Sequence, residues 1–211
     1  MTASGSASPE RRLILVRHGA TAWNAEGRYT TRSDIPLSEE GMSQARAAAA
    51  ALAAERIDRV LCSPLARARI TGETIAAAQV HGPPEVAVDE RLTEIDAGPF
   101  EGLTTAEIEA GPLADAHARW HADLDPVAPD GAEPLAAARD RAAAFFASVQ
   151  DLPGTTLAAT HGSLARVLIA SVVLRADPAA HRRMWLGNGH WATVELGERP
   201  RLVAFNAGPE R

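Results

Sequence analysis

Residues 13–16, the apolar run Leu-Ile-Leu-Val near the start of the chain, constrain the fold more than any other feature of the sequence. A short, continuous apolar run indicates a strand buried on both faces, which needs other layers above and below its sheet. The run ends at Arg17, His18 and Gly19. Because open α/β sheets bind ligands beyond the carboxyl ends of their strands, these residues are candidates for chemistry. Taken alone, the commoner explanation of such a tripeptide is a surface ion pair followed by a turn.

The rest of the chain alternates between strand and helix patterns. Further strands are predicted at residues 59–63, 86–92, 155–160, 191–196 and 202–205. Helices are predicted at residues 38–55, 135–149 and 163–174, and two further helices are predicted to start at residues 63 and 104. Ser38 and Ser63 are the N-caps of the helices that start there, and Thr104 and Glu107 form a capping box. Residues 111–131 are poorly patterned and are interpreted as a partly helical insertion over the site. The alternation predicts a layered α/β/α domain with a central, mostly parallel sheet.

The length and composition indicate an ordinary globular protein. A chain of 211 residues suffices for one domain, predicted at residues 13–211 behind a disordered tail at 1–12. The tail lacks the apolar core of a signal peptide, and no apolar run approaches the ~18 residues of a membrane span. The single cysteine, Cys62, cannot form an internal disulfide and is interpreted as a buried apolar residue. A reducing cytoplasm is therefore the expected location.

The charged residues restrict the class of ligand. A formal net charge of −6 argues against nucleic acid or an anionic membrane surface as a partner. The chain contains no lysine, so all 21 Lys+Arg residues are arginines, which excludes Schiff-base catalysis and a Walker-type phosphate lysine. An anionic ligand would have to be held by arginine, histidine or backbone amides. Arginine suits phosphate, because it keeps its charge and can donate two parallel N–H groups.

Five motifs follow one another along most of the chain. They are Arg-His-Gly-Ala-Thr-Ala-Trp-Asn at 17–24, Gly-Arg through Leu-Ser-Glu-Glu-Gly at 27–41, Ser-Pro-Leu-Ala-Arg-Ala-Arg-Ile-Thr at 63–71, Arg-Leu-Thr-Glu through Phe-Glu-Gly at 91–102, and Thr-His-Gly at 160–162. In this order they resemble the signature of the histidine phosphatase (phosphoglycerate mutase-like) superfamily. Each motif alone is weakly specific, but five in the same order are highly specific.

The resemblance implies a phosphoglycerate mutase-like fold and phosphoryl transfer through a phosphohistidine. His18 would be the nucleophile, and its imidazole, with an ordinary pKa of about 6.5, would be available in neutral form near pH 7. Glu94 would protonate the leaving oxygen and then activate water. Arg17, Arg67 and His161 would hold the phosphoryl oxygens and complete the catalytic set. The residues implied to bind the substrate are Arg17, Asn24, Thr30, Arg67, His161 and Gly162.

The substrate is expected to be a small phosphorylated metabolite of the sugar or glycerate type, bound by a monomer or homodimer. The mutase branch of the family carries an insertion with adjacent arginines, whereas residues 111–131 contain only Arg119. This favours a phosphatase over a cofactor-dependent phosphoglycerate mutase, which remains the alternative. Two departures from the family pattern affect the pocket: Tyr29-Thr30-Thr31 stands where relatives usually have Gln-Gly, and Gly131-Ala-Glu133-Pro134 where they often have Gly-Glu-Ser.

Two rival classes of function remain. A protein that binds a phosphorylated ligand with little or no turnover would need a missing catalytic group, and all five groups are present. A metal-dependent hydrolase could use His117 and His121, spaced i, i+4, with Asp123 nearby. No third ligand is compelling there, so neither a metal nor a cofactor is expected.

Overall fold

A six-stranded sheet forms the middle layer of the part of the chain that this computed structural model describes, residues 11–122 and 129–209. Its strands, in chain order, are β1 (Arg11–Arg17), β2 (Arg59–Cys62), β3 (Glu85–Val88), β4 (Gly154–Thr160), β5 (Trp191–Glu195) and β6 (Arg201–Ala207). Across the sheet the order is β3-β2-β4-β1-β5-β6. The first four strands in that order are parallel, whereas β5 and β6 each pair antiparallel with the preceding strand. The predicted central, mostly parallel sheet is confirmed.

Helices cover both faces of this sheet. They are α1 (Ala22–Ala25), α2 (Glu39–Leu52), α3 (Ala66–Ala77), α4 (Thr105–Glu109), α5 (Ala114–Ala122), α6 (Leu135–Val149) and α7 (Gly162–Val167). Short 3-10 turns span Glu90–Leu92, Gly98–Phe100 and Pro178–Arg183, and a π-helical stretch, Leu168–Val173, continues α7. Ser38 caps α2, and Thr104 and Glu107 form the predicted capping box of α4. Among the described residues, no helix combines the length and the apolar character needed to cross a membrane.

The apolar run in β1 joins two halves of the core. Leu13 and Leu15 pack with residues of α6 and α7 on one face, whereas Ile14 and Val16 pack with residues of α2 and α3 on the other. Each of the four is at most 1% exposed, and burial of such a side chain stabilises the fold by roughly 1.5–3 kcal/mol. The strand is therefore buried on both faces, as predicted. Cys62 is also fully buried, and burial raises the pKa of its thiol to about 12.

The register of the central strands determines where the candidate residues meet. In the parallel pair β1 and β4, Arg17 lies opposite Thr160. The next residues along each strand are His18 and His161. The sheet therefore delivers both predicted histidines to the same edge.

The structure corrects several predicted boundaries. β1 begins at Arg11 and pairs with Gly154 there, so two residues of the predicted 1–12 tail belong to the sheet, and residues 1–10 lie outside the described part. The strand predicted at 86–92 ends at Val88, because Asp89 caps a 3-10 turn. The helix predicted from residue 63 begins three residues later, since the Ser63 hydroxyl is a partner of His161 and the N-cap is Leu65.

Candidate active site

His18 and His161 lie side by side at the carboxyl end of the parallel strands. Their ring centroids are 5.1 Å apart, with an angle of 64° between the planes. The backbone N–H of His18 donates to the Thr160 carbonyl at 3.0 Å, which ties the ends of β1 and β4 together. A Cβ on Gly19 would overlap the Gly41 carbonyl at the start of α2. The turn after His18 therefore requires glycine.

The surroundings of His18 determine its tautomer and its charge. Nδ1 lies 2.6 Å from the Gly19 carbonyl oxygen. Since a carbonyl oxygen can only accept, Nδ1 carries the hydrogen and Nε2 keeps its lone pair. The side chain is only 3% exposed, and this burial, followed by the positive charges of Arg67 and Arg17, lowers the pKa of His18 well below 6.5. His18 is thus a neutral imidazole whose Nε2 can act as a nucleophile.

Arg67 is held rigidly although it is fully buried. Its two terminal nitrogens donate to the backbone carbonyls of Ser33 at 2.7 Å and of Thr31 at 2.8 Å. Its Nε has no hydrogen-bond partner among the described residues. Burial lowers the pKa of Arg67, while the nearby carboxylate of Glu94 acts in the opposite direction. The guanidinium is therefore a fixed cation with an unused buried donor.

The loop that receives Arg67 is organised by Glu101, which the sequence analysis did not single out. Its carboxylate accepts hydrogen bonds from the backbone N–H groups of Thr31 and Ser33, and also from the Thr31 hydroxyl. Partial burial alone would raise the pKa of Glu101, but these hydrogen bonds outweigh burial and lower it. Glu101 and Arg67 thus hold the same two residues from opposite sides, through their N–H groups and their carbonyls.

Arg17 reaches the site from the end of β1. It donates to the Leu186 carbonyl at 2.7 Å, and its guanidinium carbon lies 5.9 Å from the centroid of the Trp185 ring. Burial lowers the pKa of Arg17 to about 10, against the opposing effect of Glu94. A Cβ added to Gly162 would lie 3.1 Å from Nε of Arg17, an atom that has no hydrogen-bond partner among the described residues. Glycine at 162 therefore leaves room for this guanidinium.

His161 is fully buried and, like His18, is held neutral. Its Nε2 lies 2.8 Å from the Ser63 hydroxyl, whereas its Nδ1 has no partner among the described residues. Burial is the largest cause that lowers its pKa well below 6.5, and electrostatic interactions with His18, Arg67 and Arg17 act in the same direction. A buried polar atom without a partner is costly, so Nδ1 is well suited to meet a ligand.

Glu94 lies against the N-terminus of α7. Its Oε1 accepts from the backbone N–H groups of Ile95 and Leu164, each at 2.9 Å, and its Oε2 accepts from that of Ser163 at 3.0 Å. The side chain is 6% exposed. Oε2 accepts only one of these three hydrogen bonds, so it keeps more room for a further hydrogen-bond partner than Oε1.

Asn24 and Thr30 occupy the rim of the site. The Asn24 side-chain oxygen accepts from the backbone N–H of Thr21 at 3.1 Å and from the amide of Asn188 at 3.3 Å. These contacts use its oxygen and leave its nitrogen as a donor. The same Asn188 amide donates to the His18 carbonyl at 3.0 Å, so it links the rim of the site to His18. The Thr30 hydroxyl donates to the Arg28 carbonyl, and both Thr30 and Asn24 line a cavity at this edge of the sheet.

A third arginine, Arg166, was missed by the sequence analysis. It lies four residues after Gly162 on α7, and its guanidinium donates to the carbonyls of Gly162, His181 and Met184 and to the Ser163 hydroxyl. Burial lowers its pKa, and Glu94 opposes that effect. No local signal marked it, because position 166 falls inside the predicted helix 163–174, where an arginine is ordinarily a surface residue.

Two adjoining cavities open at this edge of the sheet. The smaller, of about 200 Å³, is lined by Arg17, Asn24, Arg28, Tyr29, Thr30, Thr31, Glu94, Gly162, Ser163, Arg166, Trp185 and Leu186. The larger, of about 310 Å³, is lined by Tyr29, Thr31, Ile95, Ala97, Trp120, His121, Glu133, Leu135, Ser163, Arg166, His181 and Arg182. We call them the phosphate cavity and the side cavity. They share Tyr29, Thr31, Ser163 and Arg166.

The histidine pair considered as a metal site has a different partner. Nε2 of His117 and Nε2 of His121 lie 2.9 and 3.0 Å from the Tyr29 hydroxyl, and the two rings are 4.4 Å apart. Within residues 11–122 and 129–209, no group of three or more His, Cys, Asp or Glu side chains is arranged to hold a metal ion. Asp123, the third member considered, lies outside the described residues. The geometry thus gives these histidines a role in packing around Tyr29.

Known proteins resemble this chain in sequence and in fold. Phosphoserine phosphatase 1 of Hydrogenobacter thermophilus is 30% identical over 194 residues, which are 91% of this chain and 90% of that protein. "Probable phosphoglycerate mutase GpmB" of Klebsiella pneumoniae is 33% identical over 198 residues, 91% of this chain and 88% of that protein. The structure of mycobacterial glucosyl-3-phosphoglycerate phosphatase with VO3 has a TM-score of 0.82 at 29% identity, covering 94% of this chain and 100% of that one. The model of the histidine phosphatase superfamily (branch 1) matches residues 13–208, and the chain belongs to that family.

Proposed function

We propose that the protein is a phosphatase that hydrolyses a small phosphomonoester through a phosphohistidine on Nε2 of His18. One observation carries the proposal: a buried, neutral histidine stands among buried nitrogen atoms without hydrogen-bond partners. These are Nε of Arg17, Nε of Arg67 and Nδ1 of His161. Leaving such groups unpaired costs roughly 1–3 kcal/mol each, a cost that a bound phosphoryl group would remove.

The charge of the site supports a dianionic ligand. Arg17, Arg67 and Arg166 contribute three positive charges, and Glu94 carries the proton that the first step transfers. The three positive charges offset the two negative charges of a phosphomonoester dianion, whose second pKa is about 6. Because the arginine N–H groups are already fixed on carbonyl oxygens, the charges need little reorganisation when substrate binds.

The chemistry then follows in two balanced steps. The Nε2 lone pair of His18 attacks phosphorus, the P–O bond to the alcohol breaks, and the alcohol oxygen takes a proton from Oε2 of Glu94. In the second step Glu94 takes a proton from water, whose oxygen attacks phosphorus and breaks the P–N bond, releasing phosphate and restoring His18. With the Ser63 hydroxyl donating to Nε2 of His161, Nδ1–H of that histidine donates to a phosphoryl oxygen throughout.

Trapping the covalent intermediate tests this proposal. A radiolabelled phosphomonoester quenched in alkali should leave label on His18, since phosphoramidates survive base and not acid. His18→Ala should abolish both label and turnover, whereas His81→Ala, a change at an exposed histidine on the α3–β3 connection, should preserve both. Label on a serine or on Cys62 would contradict the assignment.

A phosphoglycerate mutase is the second candidate, because several relatives that are 33% identical to this chain carry the name "Probable phosphoglycerate mutase GpmB". Against it, Arg119 is exposed on α5 and is not among the described residues that line either cavity. We expect release of phosphate to exceed interconversion of 2- and 3-phosphoglycerate. Interconversion that is primed by the bisphosphate and outpaces phosphate release would select the mutase.

Metal independence is part of the proposal, because three arginines and His161 supply the positive charge. Turnover should persist in excess chelator, and a strict requirement for added divalent metal would overturn this part. A protein that only binds its ligand would take up phosphomonoesters without releasing phosphate from any of them. Measuring binding and turnover on the same preparation distinguishes that case.

A further inference from the structure

We propose that the side cavity binds the alcohol portion of the substrate, and that this alcohol carries a ring and about ten or more non-hydrogen atoms rather than a three-carbon chain. The inference rests on the proposed phosphatase function. Its first support is size, since a cavity of about 310 Å³ holds roughly ten water molecules at about 30 Å³ each. A three-carbon acid would leave most of that space to solvent.

The position of Glu94 indicates which side the alcohol occupies. Oε2, the atom proposed to protonate the leaving oxygen, accepts from the backbone N–H of Ser163. Ser163 lines both cavities, as does the neighbouring Arg166. An alcohol that receives its proton from Oε2 therefore leaves the phosphorus at the junction of the two cavities. The side cavity is the space that continues from this junction.

The wall of the side cavity suits a ring. Tyr29 and Trp120 line it, with ring centroids 6.1 Å apart, and Phe100 packs against both from behind at 5.9 and 5.3 Å. Aromatic faces of this kind bind planar rings by offset stacking and saturated rings through their C–H faces. Ile95 and Leu135 add two further apolar side chains to the lining of the same cavity.

This wall is fixed in place by hydrogen bonds. The Tyr29 hydroxyl has one proton, so it donates to one of the two histidine Nε2 atoms and accepts from the other. Because His117 and His121 both belong to α5, the two contacts anchor that helix, and Trp120 with it, to Tyr29. The stacking surface is therefore preorganised, which reduces the entropy lost on binding.

The same cavity also has polar lining residues, which suit hydroxyl groups on that ring. They include Arg166, Thr31, Ser163 and Glu133. The Glu133 carboxylate is paired with Arg141 at 2.8 Å and approached by Arg32 at 3.4 Å, so its charge is compensated. A ring with polar substituents fits this mixed lining.

Phosphonates test the cavity directly, since their P–C bond is not hydrolysed and binding is measured without turnover. Calorimetry on the wild-type protein should give a dissociation constant for 1-naphthylmethylphosphonate at least about tenfold below that for methylphosphonate. Trp120→Ala should remove most of this ratio. Trp185→Ala, a change at the ring that lies on Arg17 in the phosphate cavity, should weaken both ligands alike and keep the ratio.

The outcomes separate the two proposals. Affinities that agree within twofold, or a ratio that Trp120→Ala leaves unchanged, would overturn the inference even if the enzyme is an active phosphatase. A preserved, Trp120-dependent ratio in a protein that turns over no phosphomonoester would overturn the proposed function and retain the cavity assignment. Substrate comparison completes the test: kcat/KM should be higher for glucose 6-phosphate than for O-phosphoserine and 3-phosphoglycerate, and the reverse order would count against the inference.

Discussion

Glu101 offers the sharpest test of how the phosphate cavity is built. Among the described residues it makes no hydrogen bond with His18 or His161. It nevertheless holds the loop whose backbone carbonyls accept from Arg67. Glu101→Ala removes the acceptor of two backbone N–H groups, those of Thr31 and Ser33. Each donor left unpaired in a partly buried loop costs about 1–3 kcal/mol, so we expect a loss of about 2–4 kcal/mol in the free energy of unfolding. The catalytic consequence is separate: once the loop shifts, Arg67 loses its fixed orientation.

Two measurements distinguish positioning from a merely structural role. Well below the melting temperature, where the variant is folded, the inhibition constant of inorganic phosphate should rise about tenfold or more in Glu101→Ala. Glu195→Ala is the matched control, because its carboxylate accepts from Arg201 within the β5–β6 hairpin and makes no described hydrogen bond with the loop that receives Arg67. It should cost at most about 1 kcal/mol, as an exposed ion pair, and leave phosphate inhibition unchanged. Unaltered phosphate inhibition in Glu101→Ala would refute the coupling.

The pH dependence of stability gives an independent check. The pKa of Glu101 is lowered in the folded protein, so folding favours its ionised form. Its stabilisation is complete above the unfolded pKa of about 4.3 and is lost as pH falls through the lowered folded value. The difference in stability between wild type and Glu101→Gln should therefore shrink below about pH 4. A difference that grows with acidity would contradict the assigned sign.

Three further predictions concern the residues around the nucleophile. Gly162→Ala should lower kcat/KM about tenfold, because its Cβ would press on Nε of Arg17, whereas Gly197→Ala, where a Cβ meets nothing within 4 Å, should be silent in the same assay. Glu94→Gln should reduce single-turnover phosphorylation by alkyl phosphates about 10²- to 10⁴-fold, and by p-nitrophenyl phosphate far less; equal losses would exclude it as the acid. Because the pKa of His18 is lowered, the acid limb that it contributes to the pH profile of kcat/KM should lie below pH 6.5. The free energy of unfolding should also decrease as the pH falls below about 6.5, since the unfolded chain takes up a proton that the folded protein does not. An NMR titration that gives His18 a pKa at or above 6.5 would contradict both expectations.

The residues that the sequence could identify are those that follow buried strands. His18 and His161 each follow an apolar run, and parallel strands end at the same edge of a sheet. Arg67 falls in the first turn of a helix that starts beyond the next strand, where an arginine taken alone is ordinarily part of a surface ion pair. The local patterns place these residues at strand or helix ends, and the resemblance carried by the five motifs identified them as site residues. The predicted sheet and its α/β layers rest on the same local periodicity.

The residues that the sequence could not identify depend on backbone contacts between distant loops. Glu101 meets Thr31 across 70 positions, and nothing in the composition of either loop indicates the pairing. Tyr29 lies 88 positions away from His117 in the chain. Without knowledge of that contact, only the i, i+4 spacing of His117 and His121 was visible, and a metal site was therefore considered for those two histidines. Arg166 has the spacing of an ordinary helix surface residue, and only the arrival of residues 181–184 makes it a cavity wall.

The absence of lysine acquires a structural meaning at this site. A guanidinium has five N–H donors in a rigid plane, whereas an ammonium is a point charge on a flexible stem. Arg67 uses two of its nitrogens on the scaffold carbonyls of Ser33 and Thr31 and still has Nε to spare, and Arg17 divides its donors in the same way. One side chain therefore serves both as an anchor to the backbone and as a binding group for an oxyanion. A lysine whose ammonium group donated to those carbonyls would be held near them. A lysine whose ammonium group pointed toward a phosphate would not be held by the carbonyls, so its charge would not be fixed in position before the substrate binds.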